Sequence, residues 1–266
     1  MNPTQKKIVY SVTFILFLIV HLLHAQGHDY EQSMLQIQKA YNNKCYCRVI
    51  DKLQEVLENM DKDPGTNRKE KAGILIELGS VYQETQKYTL SFEQFKKAFI
   101  IDNTNIRALD KMWRLSEELG QFGPLYNVLE QSNKDSSIVK AYIARIQCEN
   151  KLLKQAINTF LEAIAIDPQQ SVGYSFLYNC LQSKTIVNKN ESIDLFSKLS
   201  KQYPNSFYPN QYLWQEYWRK AKEDDVNINQ KIKYLDNALN VYSIVSKAHL
   251  ESPNTHFQWA KMYFEL

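Results

Sequence analysis

Residues Ala156–Pro168 read AINTFLEAIAIDP, and the rest of the chain is organised around this pattern. Ala156, Phe160 and Ala163 are spaced by four and three residues, and Pro168 stands five further on. On a helix, residues three and four apart share one face. The spacing therefore predicts a helix with alternating small and aromatic side chains on one face, stopped by the proline. The small residues let a neighbouring helix approach closely, and the ring fills the gap beside them.

The same offsets return elsewhere. Ser192, Phe196, Leu199 and Pro204 repeat them within Gly173–Asn205, and Ser91, Phe95 and Ala98 repeat them within Ala72–Asn105, with Asn103 near the proline's place. Ala72–Asn105 also carries Leu75, Leu78, Gly79 and Tyr82 upstream. With Ala72 as position 1, the seven residues of that segment fall at positions 4, 7, 8, 11, 20, 24 and 27. This pattern resembles the tetratricopeptide repeat family, whose unit of about 34 residues runs W-x2-L-G-x2-Y, then A-x3-F, then P. The resemblance implies an all-α fold, a right-handed solenoid of antiparallel helix pairs. It also implies a concave face that grips a segment of another protein.

Around these units the remaining sequence divides into further hairpins. Approximate repeats are predicted at 27–64, 72–105, 106–136, 137–170, 173–205 and 206–249, with a final helix at 253–266 carrying Trp259, Ala260 and Tyr263. The first is legible only by helical periodicity, in Tyr30, Met34, Ile37 and Tyr41 and then in Val49, Leu53, Val56 and Leu57. In the third, Gly120 suits a helix C-cap and Pro124 the first turn of the next helix. Trp113 occupies position 8 there, where a small residue is usual, which predicts either a wider helix gap or a ring turned outward. Asp135 or Ser136 can cap the fourth. Pro168 to Pro204 spans 36 residues, and the excess is assigned to the loop Lys184–Asn188.

Residues 1–25 read as an export leader. Lys6 and Lys7 form the basic start, Ile8–Leu23 is the apolar stretch, and Ala25 offers a small residue for cleavage before Gln26. A retained signal-anchor is the alternative, because Leu23 is large for the −3 position. The mature domain 26–266 is then expected outside the cytoplasm, in the periplasm or beyond, with a membrane contact only where the leader is kept.

Low glycine, 7 residues in 266, suits helices better than a turn-rich β protein. Net charge is +3, and loss of Lys6 and Lys7 with the leader leaves +1, which gives no electrostatic reason to expect nucleic acid. Adjacent carboxylates such as Glu117 and Glu118 diverge on a helix and do not form an acid–base pair. His249 and His256 lack further ligands at metal spacing. No nucleotide-binding glycine loop or nucleophile elbow occurs. The expectation is a non-catalytic interaction scaffold with no metal, cofactor or catalytic residue, and with a protein or peptide partner. An enzyme on a helical-repeat fold is the rival.

The cysteines are Cys45, Cys47, Cys148 and Cys180. The last two fall on first helices of adjacent repeats, either as small buried thiols or as a bridge, and the buried thiol is the expectation. Cys45 and Cys47 are neither a C-x-x-C redox pair nor half of a zinc site, and a strained bridge between them is the lesser alternative that loop geometry near Asn43 leaves open. By the family pattern, the groove is lined by first-helix positions near 2, 5, 6, 9 and 12. That brings forward Tyr142 and Arg145, then Tyr174, Leu177, Tyr178 and Leu181 counted from Gly173, then Tyr217 and Lys220. Packing between helices is the competing role for these tyrosines.

Overall fold

The computed structural model describes residues 28–133, 135–183, 191–224 and 226–248. The leader, the loop Lys184–Asn188, His249, His256 and the final helix at 253–266 lie outside the described residues. The described chain is all-α. Its helices are α1 (His28–Asn42), α2 (Tyr46–Lys62), α3 (Arg68–Glu84), α4 (Tyr88–Ile101), α5 (Ile106–Leu119) and α6 (Gly123–Glu130). They continue with α7 (Ser137–Glu149), α8 (Leu153–Ile166), α9 (Ser171–Ser183), α10 (Glu191–Gln202), α11 (Phe207–Ala221) and α12 (Ile228–Ala248). No described helix is long and apolar enough to cross a membrane. The helices form two compact units, and the division falls inside α6, after Val128.

Each unit is built by one packing rule. In unit 1, α3 packs on α4, α4 on the next first helix α5, and α3 on α5. In unit 2, α7 packs on α8, α8 on α9, and α7 on α9. The marker residues explain why. Phe95, Phe160 and Phe196 are each 0% exposed, and Ser91, Ala156 and Ser192, four residues before them, are buried beneath the neighbouring helix. At Gly79 a Cβ would stand 2.5 Å from Cε1 of Phe95, so hydrogen is the only side chain that lets α3 and α4 approach this closely.

The turns within the first four pairs repeat as well. Lys44, Gln86, Gly120 and Lys151 all have a left-handed backbone, with φ between 56° and 65°. At each, two backbone N–H groups bond back to the helix just ended: Gln86 N to Gln83 O at 2.9 Å and Lys87 N to Tyr82 O at 2.8 Å, for instance, and Lys151 N to Cys148 O at 3.0 Å and Leu152 N to Gln147 O at 2.9 Å. This is a Schellman closure, which satisfies helix-end carbonyls. Glycine takes it without strain at Gly120 alone, so the other three turns have no glycine to announce them. First helices also begin alike: Asn105 accepts a hydrogen bond from Ala108 N–H at 3.2 Å, and Ser136, rather than Asp135, accepts one from Val139 N–H at 3.4 Å.

Trp113 is not turned outward. It is 2% exposed, and its ring lies 4.7 Å from that of Phe122.

Candidate functional site

The first helices α7, α9 and α11 lie side by side in unit 2, and their faces away from the second helices form the candidate surface. The position count settles which residues stand there. Helices α7, α9 and α11 begin at Ser137, Ser171 and Phe207, so position 1 of the fifth repeat is Ser171 and not Gly173. The excess residues precede α10, and counting back across them shifts the first helix by two. With that correction Tyr174, Leu177 and Leu181 take positions 4, 7 and 11 of the inward set, while Tyr178, at position 8, stays half-buried beside Phe196 and Tyr212.

Burial agrees. Tyr174 and Leu177 are fully enclosed and Leu181 nearly so, which makes them core. Tyr142 is also fully buried, although its count placed it on the face, because Phe176 of the next repeat covers it edge-on at 5.1 Å. Lys220 is buried too, its ammonium 3.4 Å from Glu223 Oε2. Of the expected residues Arg145, Tyr178 and Tyr217 stay half-buried. The residues that replace the others on the face are Phe176, Asn179, Tyr212, Gln215 and Trp218. The equal lengths of the connectors 167–170 and 203–206 are the signal that could have found them.

Ring and charge contacts hold this face in order. The Arg145 guanidinium sits 4.5 Å above the Phe176 ring. Tyr178 stacks on Tyr212 with centroids 4.9 Å apart, and both lie against Phe196. The Lys222 ammonium lies 4.5 Å from the Trp218 ring. Behind the rings is a buried carboxylate. Glu216 is 0% exposed, and Arg219 donates to it from Nη2 at 2.9 Å and from Nε at 3.3 Å. Gln182 donates to its Oε1 from the neighbouring first helix. Tyr178 hydrogen-bonds the same carboxylate, and the bond to Glu216 is the leading cause that holds the Arg219 guanidinium above its ordinary value.

Cys148 and Cys180 are joined, with Cα atoms 6.1 Å apart. The expectation of two buried thiols is overturned: the thiols are buried and bonded to each other. The bridge joins position 12 of α7 to position 10 of α9, and the Gln182–Glu216 hydrogen bond joins the same two positions of α9 and α11. One junction is covalent and the next polar, at one place in the repeat. The corresponding face of unit 1 is charged instead. There Arg107 Nη2 lies 3.4 Å from Glu77 Oε1, and burial pushes the Glu77 carboxyl up and the neighbouring Lys111 ammonium down.

Burial also raises the phenols of this region. Tyr174 is pushed up to about 12, and Tyr178, Tyr212 and Tyr217 move the same way, each chiefly by loss of hydration. A folded value above that of the unfolded chain gives stability that is complete below the unfolded phenol pKa of about 10 and is lost as pH rises through the folded value. In unit 2, helix loss and a late tyrosinate absorbance step are therefore expected together as pH climbs from about 10 towards 12. Smooth ionisation of every tyrosine with the helical circular dichroism intact would contradict the burial.

No family model matches the chain, and neither does any curated protein. Solved structures do. A tetratricopeptide repeat protein from Parabacteroides merdae is 15% identical over 89% of this chain and 93% of its own, with a TM-score of 0.41. The C-terminal part of a TPR repeat-containing protein from Cytophaga hutchinsonii is 14% identical over 94% of each chain, with a TM-score of 0.45. YrrB, described as a TPR protein with an unusual peptide-binding site, is 12% identical over 74% of this chain and 96% of its own, at 0.36. The protein's own helix pairs, with buried small residues and rings at fixed offsets, make it a tetratricopeptide-like helical repeat protein.

Proposed function

We propose that this protein is a non-catalytic interaction scaffold of the cell envelope or exterior, and that unit 2 binds a partner segment across the first-helix face of α7, α9 and α11. The observation that carries the reading is the half-buried row Arg145, Phe176, Tyr178, Tyr212 and Trp218, already ordered by stacking. Rings fixed before binding lose little side-chain freedom on contact, and aromatic and Arg residues are frequent interface anchors. Asn179 and Gln215 stand among the rings and can bond the main chain of an extended segment. Among the described residues no group of three or more His, Cys, Asp or Glu could hold a metal ion. Export is supported by the leader pattern of residues 1–25 and by the Cys148–Cys180 bridge, since disulfides persist in oxidising compartments. A form anchored through Ile8–Leu23 is the alternative.

The test uses the full chain in its own cells. A photo-crosslinking residue at Asn179 or Gln215 is expected to trap one and the same partner segment, and a probe at Lys198 on α10 is not. With that segment as a synthetic peptide, Arg145→Ala and Trp218→Ala should each weaken binding about tenfold, the size of an interface anchor of about 1.4 kcal/mol. Equal trapping from Lys198, or unchanged affinity in both variants, removes the face assignment. The first residue of the same purified protein decides the leader: Gln26 supports export with cleavage, and an intact Met1 supports the anchor.

A further inference from the structure

The four cysteines form two pairs with opposite surroundings. Cys148 and Cys180 are 4% exposed and bonded to each other. Cys45 and Cys47 are exposed free thiols in unit 1. Tyr46 between them is half-buried and meets Tyr41 edge-on at 6.0 Å, so the chain turns the ring inward and both flanking thiols outward. Cys45 lies outside the helical backbone of α2, with φ −81° and ψ 63°, directly after the left-handed Lys44. As the N-cap of α2 it makes no side-chain capping bond; its Sγ meets only the Asn43 carbonyl, at 3.7 Å. An uncapped helix start opens at low cost, because its first N–H groups have no intrahelical partner. Lys44 and Arg48 flank the pair and are also exposed, which favours anionic thiol compounds close by.

We propose that Cys45 and Cys47 are a thiol–disulfide exchange site that takes small solvent-borne disulfides of the glutathione class. The thiolate of one cysteine attacks an external disulfide R–S–S–R. A mixed disulfide forms, and the external S–S bond breaks to release one RS⁻. The second cysteine then attacks the protein sulfur of the mixed disulfide, expels the second RS⁻ and closes a Cys45–Cys47 ring. Two electrons pass from the cysteine pair to the external disulfide, and the two thiol protons end on the two released RSH molecules. Closing the ring requires the first turn of α2 to unwind, because neighbours two apart on a helix point away from each other. The uncapped start supplies that freedom. The first attack requires only exposure, which the buried pair lacks.

The full-length protein is equilibrated with mixtures of reduced and oxidised glutathione, quenched with an alkylating agent and cleaved with trypsin. Cleavage after Lys44 and Arg48 isolates Cys45–Arg48 as one peptide. The expected product at rising oxidised glutathione is that peptide lacking two hydrogens and carrying no alkyl group, while Cys148–Cys180 remains bridged throughout. In Cys47→Ser the resolving thiol is gone, and the glutathione adduct on Cys45 should rise about tenfold over the native chain. A peptide that carries two glutathiones, stays doubly alkylated, or is found cross-linked to a second copy of the chain overturns the proposal.

Discussion

Replacing Cys148 and Cys180 together by alanine is expected to lower the stability of unit 2 by about 3.5 kcal/mol. The two residues are 32 apart in sequence, and cross-linking a loop of that size removes chain entropy from the unfolded state on this order. Alanine avoids burying a hydroxyl where both residues are 4% exposed. Urea unfolding of the variant and of the reduced native chain should give the same loss. Hydrogen exchange should place it in α7, α8 and α9, which share one core with the bridge. The matching change at Cys45 and Cys47 should stay within about 0.5 kcal/mol, as surface substitutions do. A loss under 1 kcal/mol at the buried pair would mean that the bridge adds little to what the side chains already hold.

Phe95→Ala is the second large effect, at about 3–5 kcal/mol, because the ring is 0% exposed and its removal leaves a cavity between α3 and α4. Its partner shows the same contact from the other side. Gly79→Ala puts a methyl 2.5 Å from Cε1 of Phe95, and overpacking of this kind costs about 1–3 kcal/mol. The two are coupled, so Phe95→Leu should cost less in the Gly79→Ala background than in the native one. The coupling expected is about 1 kcal/mol, within the range for residues in contact. Denaturation of the two single variants and the double variant decides it. Strict additivity would show that α3 and α4 are held apart by something other than this ring.

The helix pairs were legible because small and aromatic residues must recur wherever two helices cross closely. Ala156, Phe160 and Ala163 carry that requirement in side-chain volume, which a sequence displays directly. The surface was harder to read, since it depends on phase. Two residues gained before α10 leave its markers in place yet displace the count on α9, and that slip assigned Tyr174 and Leu177 to the face. Phe176 was hidden by the same shift, and Tyr212 by starting its repeat at Ser206, one residue before α11 begins. Tyr142 failed for another reason, being covered by a ring from the following repeat, which no count along one helix can reveal. The bridge was open on sequence grounds because two cysteines on neighbouring helices fix neither direction nor distance.

The left-handed closures at Lys44, Gln86, Gly120 and Lys151 each join the two helices of one pair, from α1 and α2 to α7 and α8. During synthesis the early hairpins can snap shut from backbone bonds reaching only a few residues, without waiting for later sequence. Helix α9 packs on α7 and α8, which are made before it. The sulfur link therefore fastens α9 to α7, the first helix of a pair already closed at Lys151.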